Sequence, residues 1–515
     1  MLKKATALLS ALCLAMSTTA VFAESSDGGD SYNMVINESD VVRNIPREMF
    51  GINCEWAVGV NNRFLDQVND EVIIAPSFAK GWKDTMVFSR MSGGSAQRFK
   101  WKDALGDYKS RATQKIWGVS DKCYLGIIEW LKAIQSVTPD IKICYTFNFD
   151  SDTLENIADV VEFLTSDGTI NYNGGENWGE IRKQLGIENP VNIYVWELGN
   201  EMDLENWTAE RYVDYCKKVI PIVKSIDPNS KISAHVDTAA HANGEGRYGS
   251  AGRPWEEWHR LVLREVGDMI DLVSFHYYYP AGFVRRADIP LDRLEQDIIE
   301  ITGSDRIKIY MSEQAPAANI QTYKPENAFD YCLPHTIWGA TSLAEYYCRA
   351  MMRESVVATT CHSIDSSTWS ICYRNKEGGH SLTATGEVVK SFAKYGVGDM
   401  LNTQLDTFSK EDMKDIAGTA VKDKDGNINI LFTNRSETLP ATVNFKFQDG
   451  KYRLKMVRRI HGDVKEADNY YRAGMNYDNP NKVEISETEE TGMDEIKSYT
   501  FDPLSIYVLC LEKID

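Results

Sequence analysis

The chain has 515 residues, a formal net charge of −19, 43% hydrophobic residues and 11% aromatic ones. That length exceeds what one core supports, so one large domain and one smaller one are expected. A surface this acidic lacks the basic patches that bind nucleic acid or anionic membranes, which points to a neutral partner.

Lys3 and Lys4 precede an apolar stretch from Ala5 to Met16, and Val21-Phe22-Ala23 closes it with small residues at the spacing a signal peptidase cuts. The stretch is shorter than the roughly 20 apolar residues of a membrane span. Leu12 stands before Cys13 where a lipoprotein signal takes a small residue. Residues 1–23 therefore read as a cleaved leader, which predicts a secreted, extracellular or periplasmic protein with no membrane attachment after cleavage. Residues 24–46 begin with the polar, Gly-rich run Glu24–Asp30 and contain a strand-like run, Tyr32–Val42. The ten cysteines show no C-x-x-C pair and no His cluster beside them, so neither a metal site nor a redox site is expected, and no cofactor. Cys144 and Cys361 lie in apolar runs and read as small buried hydrophobes.

Between residues 47 and 395, short apolar runs alternate with longer helical patterns. The runs are Met49–Glu55, Met86–Met91, Ile141–Phe147, Asn192–Leu198, Lys231–Val236, Ile270–Tyr277, Arg306–Ser312 and Val356–Ile364. Amphipathic segments such as Tyr124–Ser136, Ala209–Ser225 and Trp255–Val266 lie between them. Thr138-Pro139-Asp140 and Asp227-Pro228-Asn229 each close a helix before the next strand. Eight strands alternating with helices, without a Gly-rich dinucleotide loop, predict an α/β fold of the (β/α)8 barrel type. From 396 to 515 the pattern is β-like, with alternation in Ala441–Phe447 and turns at Asp425-Gly426 and Asp449-Gly450. This predicts a C-terminal β-sandwich, with Tyr32–Val42 joining it.

Chemistry concentrates at two strand ends. Trp196-Glu197-Leu198-Gly199-Asn200-Glu201-Met202-Asp203 follows the fourth strand, and Ile309-Tyr310-Met311-Ser312-Glu313-Gln314 ends the seventh. In a barrel these ends face each other across the mouth, so Glu201 and Glu313 can flank one bond. Two carboxyl groups so placed suit glycoside hydrolysis, one protonating the leaving oxygen while the other attacks or positions water. A gap of about 5 Å makes the reaction retaining, a wider one inverting.

The motifs resemble glycoside hydrolase clan A, and within it most closely the family 51 α-L-arabinofuranosidases. Gly199–Asp203 matches that family's Gly-Asn-Glu-Met-Asp block. Phe88-Ser89-Arg90-Met91-Ser92-Gly93-Gly94-Ser95, followed by Phe99–Asp103, resembles its block after strand two. Ser274-Phe275-His276-Tyr277-Tyr278 resembles its strand-six motif, and Gly51-Ile52-Asn53-Cys54-Glu55 its strand-one motif. The resemblance implies Glu201 as acid/base and Glu313 as nucleophile. It places Glu55, Arg90, Asn200, His276 and Tyr278 around the reacting sugar. Two positions depart from the family pattern: Ser95 replaces an Asn, and Gln314 follows the nucleophile where the family has Trp. Both are expected in the substrate subsite, where they bear on which sugar fits. Trp101 and Trp178 are candidate sugar platforms, the latter in the loop Tyr172–Trp178, with core packing the alternative for each. The partner implied is a carbohydrate containing arabinose or xylose. A β-xylosidase, xylanase or endoglucanase of the clan stays open, as does a non-catalytic sugar-binding barrel.

Overall fold

The computed structural model describes residues 30–514 apart from 57–64, 69–70, 84, 237–254, 319–323, 365–367, 407, 409–414 and 473–476. The leader read in residues 1–23 lies outside the described residues.

Eight strands close into a parallel barrel: β1 (Gly51–Cys54), β2 (Phe88–Met91), β3 (Lys142–Thr146), β4 (Ile193–Leu198), β5 (Lys231–His235), β6 (Leu272–Tyr279), β7 (Lys308–Pro316) and β8 (Val356–Cys361). They follow one another in chain order round the barrel, and β8 closes onto β1 through Thr360↔Gly51 and Cys361↔Ile52. Each lies within or over one of the apolar runs. The seventh differs most, running past Ser312 to Pro316.

Side chains alternate along a strand, so one residue in two points inward. Phe88, Cys144, Val195, Leu272, Tyr310 and Ala358 pack as one apolar cluster from six different strands. Two residues further along the same strands come Arg90, Thr146, Glu197, Ser274 and Thr360, so the next inward layer is polar. The barrel thus stands on a dry plug and carries its charge just above it. In β7 the alternation is broken. Ser274 and His276 of β6 pair with Tyr310 and Glu313, and Thr359 and Cys361 of β8 pair with Met311 and Gln314. The extra residue in β7 is a β-bulge, which brings Glu313 rather than Ser312 to the inward side.

The C-terminal strands form a nine-stranded sheet. Asp30–Ile45 lies inside it, antiparallel to Gly398–Leu405 and parallel to Ala441–Phe447. The sheet folds over its own core: Phe501 on an edge strand stacks on Phe432 of an inner strand with ring centroids 3.9 Å apart. Met34, Ile36, Leu401, Ile430, Val443 and Leu509 fill the space between. The architecture is a (β/α)8 barrel with a β-sandwich, as the sequence pattern indicated.

Helix Ile337–Met351 is buried between the two units. Glu345 on it accepts a bond from Arg349 Nε at 2.8 Å and another from Arg435 of the sandwich, while Arg349 also donates to Asp288 at 3.0 Å. Buried charges at this junction are paired, as burial demands. Among the described residues no helix is long and apolar enough to cross a membrane.

Candidate active site

Arg90, fully buried at the end of β2, organises the barrel mouth. Its Nε donates to Glu197 at 2.6 Å, Nη1 to Glu313 at 2.7 Å and Nη2 to the amide oxygen of Asn200 at 2.7 Å. Thr146 adds a hydroxyl bond to Glu197 at 2.6 Å. A planar guanidinium presents its donors as a fixed fork, so one cation sets the angles of two carboxylates and one amide. Burial works against the charge on Arg90, but Glu197 and Glu313 outweigh it and raise its pKa further. In return Glu197 is held below the usual carboxylate range despite its own burial.

Glu313 has both oxygens engaged. Oε1 takes the Arg90 bond, and Oε2 accepts the phenol of Tyr278 at 2.6 Å. His276 Nδ1 lies 3.6 Å and His362 Nδ1 3.8 Å from Oε2. Burial alone would favour the neutral acid, yet His276, His362, Arg90 and the Tyr278 bond together push the Glu313 pKa far below the ordinary carboxylate range. This side chain is an anion held ready.

Glu201 reaches the same place from a turn. After β4, Gly199 has φ +79° and Glu201 itself φ +45°. A side chain on Gly199 would also meet Met202 Sδ at 2.8 Å, so glycine is required there twice over. A left-handed glutamate is uncommon and costs free energy, a strain that active sites tolerate. His276 Nδ1 is 2.8 Å from Glu201 Oε1, so this ring stands between the two carboxylates. Its burial disfavours the imidazolium, but Glu313 and Glu201 outweigh that and raise its pKa. The Glu201 side chain is 24% exposed against 6% for Glu313. Carboxylate oxygens of the two lie within 4.8 Å of each other.

A third carboxylate, Glu55, follows β1. It accepts from the backbone N–H of Ser95 at 3.2 Å, from the Ser95 hydroxyl and from Asn53 Nδ2 at 3.3 Å. Gly93 runs so close that a Cβ there would collide with Oε1 of both Glu55 and Glu313. The glycine is required by the approach of two carboxylates to the backbone. Glu55, Glu313 and His362 also converge within 4.8 Å, as do Glu201, His276 and Glu313. Such groups can chelate a cation. Here Arg90 already supplies a fixed positive charge at 2.7 Å from Glu313, which opposes a second one.

Of the residues singled out in the sequence, Glu55, Arg90, Ser95, Asn200, Glu201, His276, Tyr278 and Glu313 come together. Ser95 serves differently from the expected sugar contact. Fully buried, it holds Glu55 and accepts the Trp56 N–H at 2.9 Å. Gln314 is corrected: it accepts a bond from Tyr279 at 3.2 Å, on the other side of β7 from Glu313, because neighbouring strand residues point opposite ways. Trp101 and Trp178 are not brought to the carboxylates by any described contact. Trp101 is 2% exposed and packs on Trp178 at 5.0 Å and Phe163 at 5.1 Å, so it has no free face for a sugar. Lys102 covers Trp178, its amine 4.8 Å from the ring.

Sequence reasoning missed Asn53, Glu197, His362 and Trp117. For Glu197 the signal was present: a carboxylate inside an apolar strand requires a buried cation, and Arg90 sits alike in β2. His362 follows β8 in the position where barrel strands present functional groups. It bonds Asn53 at 2.8 Å, and its ring packs against Trp369 at 5.4 Å, which in turn lies 5.1 Å from Tyr278. Trp117, 60% exposed, occupies the turn of the hairpin Thr113–Ile116/Val119–Lys122 with φ +50°. Its ring lies against Gly94, beside the Asn200 amide, and Arg98 stands 4.7 Å from it.

Residues 85–289 match the family model described as the alpha-L-arabinofuranosidase 1 domain. The solved structure of a thermostable family 51 α-L-arabinofuranosidase from Thermotoga petrophila superimposes with a TM-score of 0.75 over 93% of this chain and 100% of that one, at 19% identity. The resemblance to family 51 of clan A holds. The superposition shows the fold. In sequence, an intracellular exo-α-(1→5)-L-arabinofuranosidase of Streptomyces lividans is 24% identical over 37% of this chain and 27% of its own length. A protein of the same description from Bacillus subtilis is 24% identical over 37% of this chain and 36% of its own. This chain thus spans about a quarter to a third of those curated relatives. The family match runs through Arg90, Ser95, Asn200, Glu201, His276 and Tyr278 and leaves Glu55 and Glu313 outside it.

The comparisons correct one expectation. Both of these relatives are named intracellular, which overturns the secreted, extracellular or periplasmic placement. That placement rested on residues 1–23, which lie outside the described residues.

Proposed function

We propose that this protein is a retaining glycoside hydrolase that releases α-L-arabinofuranosyl units from a carbohydrate, with Glu313 as nucleophile and Glu201 as acid/base. The observation that supports the reading is the closeness of the two carboxylates: an oxygen of one lies within 4.8 Å of an oxygen of the other. Retaining enzymes have carboxyl groups about 5–5.5 Å apart, inverting ones about 6.5–9.5 Å.

In the first step Glu313 forms a bond to the anomeric carbon while the bond from that carbon to the leaving oxygen breaks, and Glu201 gives its proton to that oxygen. In the second, Glu201 takes a proton from water, the water oxygen bonds to the anomeric carbon, and the ester to Glu313 breaks. Arg90 and Tyr278 serve the second step most. By stabilising the carboxylate they make Glu313 a better leaving group, at some cost to its nucleophilicity. The imidazole of His276, touching Glu201 and facing Glu313, keeps a donor between them as the proton moves.

The arabinofuranosyl assignment is supported by the family model over residues 85–289 and by the relatives' names. The test is kcat/KM for aryl α-L-arabinofuranoside, β-D-xyloside, β-D-glucoside and β-D-galactoside side by side, with NMR of the first-formed sugar. Preference for the arabinofuranoside and release with retained configuration are expected. A clear preference for a pyranoside would remove the sugar assignment, and inversion would remove the mechanism.

A further inference from the structure

Away from the barrel mouth, three side chains of metal-ligating type meet in the interior. Cys332 ends the short helix Ala328–Cys332, and His335 closes the 3-10 turn Leu333–His335 that follows it. In such a turn residues three apart lie one above the other, so the Cys-x-x-His pair shares a face. Asp468 arrives from the sandwich side of the chain. Its place is fixed by a backbone bond from Ile337 N–H to the carbonyl of the adjacent Ala467, 2.9 Å long. The thiol, an imidazole nitrogen and a carboxylate oxygen lie within 4.8 Å of one another, and all three residues are fully buried.

The surroundings suit a cation. Asp468 accepts bonds from the Tyr470 N–H and from the Tyr477 phenol at 3.0 Å, and among the described residues it forms no ion pair. A buried carboxylate held only by neutral donors is costly, and a bound cation offsets that cost. Tyr470 stacks on the His335 ring at 4.1 Å, and Tyr331 joins Cys332, Tyr470 and Tyr477 in an apolar shell. Such donors and a tight shell orient ligands at metal centres. A thiolate, an imidazole and a carboxylate are each ligands that Zn2+ takes.

We propose that Cys332, His335 and Asp468 form a structural zinc site that ties the connection between β7 and β8 to the C-terminal sandwich. Ligand atoms round a tetrahedral zinc stand roughly 3.3–3.5 Å apart, so atoms that lie within 4.8 Å of one another close by at most about 1.5 Å on loading. The thiol releases its proton to solvent as the sulfur–zinc bond forms. The site shares no residue with the barrel mouth. The sequence shows no such cluster because Asp468 lies more than 130 residues from Cys332 and His335 and joins them only in the folded chain.

The test is metal analysis of the full-length protein, purified from zinc-supplemented culture and dialysed against a weak chelator, together with titration of the metal-stripped protein with Co2+. About one zinc per chain is expected, with a thiolate-to-cobalt charge-transfer band in the near ultraviolet. Cys332→Ser should abolish the band, and Asp468→Asn should weaken zinc binding at least about 10-fold. Glu313→Gln, in the barrel mouth, should keep both metal and band. Wild type that binds no zinc and gives no band with Co2+ overturns the proposal even if the variants fail to fold. A band that survives Cys332→Ser assigns the metal elsewhere and overturns it too.

Discussion

Arg90 and Glu313 are joined by a 2.7 Å ion pair, and the same guanidinium binds Glu197 at 2.6 Å from its Nε edge. One buried cation therefore positions Glu313 against a second, fixed carboxylate. Arg90→Lys offers a point charge in place of the fork and keeps at most part of this geometry. A drop in kcat/KM of about 10² or more is expected, because misplacing a reacting group by about 1 Å costs that much. Arg90→Met should in addition destabilise the fold by about 3–5 kcal/mol in denaturant titrations, since it leaves two buried carboxylates without a cation. Unchanged kinetics in Arg90→Lys would show that the fork is dispensable.

Glu313→Ala should lower kcat by at least about 10³-fold, as removal of a nucleophile does. External azide should restore turnover, because it can enter the space left by the carboxylate, and the glycosyl azide should have the inverted configuration. Full activity without azide would end the assignment.

Glu201→Ala should separate substrates by leaving group. An alkoxide leaving group needs a proton and an activated phenolate does not, so losses on oligosaccharides should exceed those on nitrophenyl glycosides by about 10² or more. Equal losses on both would mean that Glu201 acts on structure and not on the proton.

The depressed pKa of Glu313 has a stability signature. Its folded value lies below its unfolded value, because the Arg90, His276, His362 and Tyr278 contacts outweigh burial. The stabilisation is therefore complete above the unfolded carboxylate value and is lost as pH falls through the folded one. Compared with Glu313→Gln, wild type should lose stability steadily below about pH 4.3, with thermal unfolding followed from about pH 5 downwards. A gap that widens in favour of wild type on acidification would contradict the direction of the shift.

Trp117, at the rim beside Gly94 and Asn200, keeps 60% of its surface exposed although Arg98 stands 4.7 Å from its ring, and that exposed part is where a longer substrate would stack. Trp117→Ala should raise KM for longer oligosaccharides roughly 3- to 10-fold, the worth of one aromatic contact, and leave kcat on small aryl glycosides unchanged. A loss of kcat on the small substrates would show instead that the hairpin supports the catalytic groups.

Much of this was legible in the sequence because it is local. Eight apolar runs spaced by helical patterns specify the barrel, since each strand must bury both faces and each helix one stripe. Glu201 and Glu313 could be named because strand ends in a barrel converge on one face, whatever the loops do. The tertiary structure decided what depends on partners distant in the chain. The bulge in β7, registered against β6 and β8, turns Glu313 inward and leaves Gln314 to Tyr279. The hydroxyl of Ser95 goes to Glu55, because that carboxylate comes from another strand end to meet it. Trp101 finds Phe163 and Trp178, and its ring is spent on packing. A side chain's residue type sets which bonds it can make, and only the fold brings the partner that takes them.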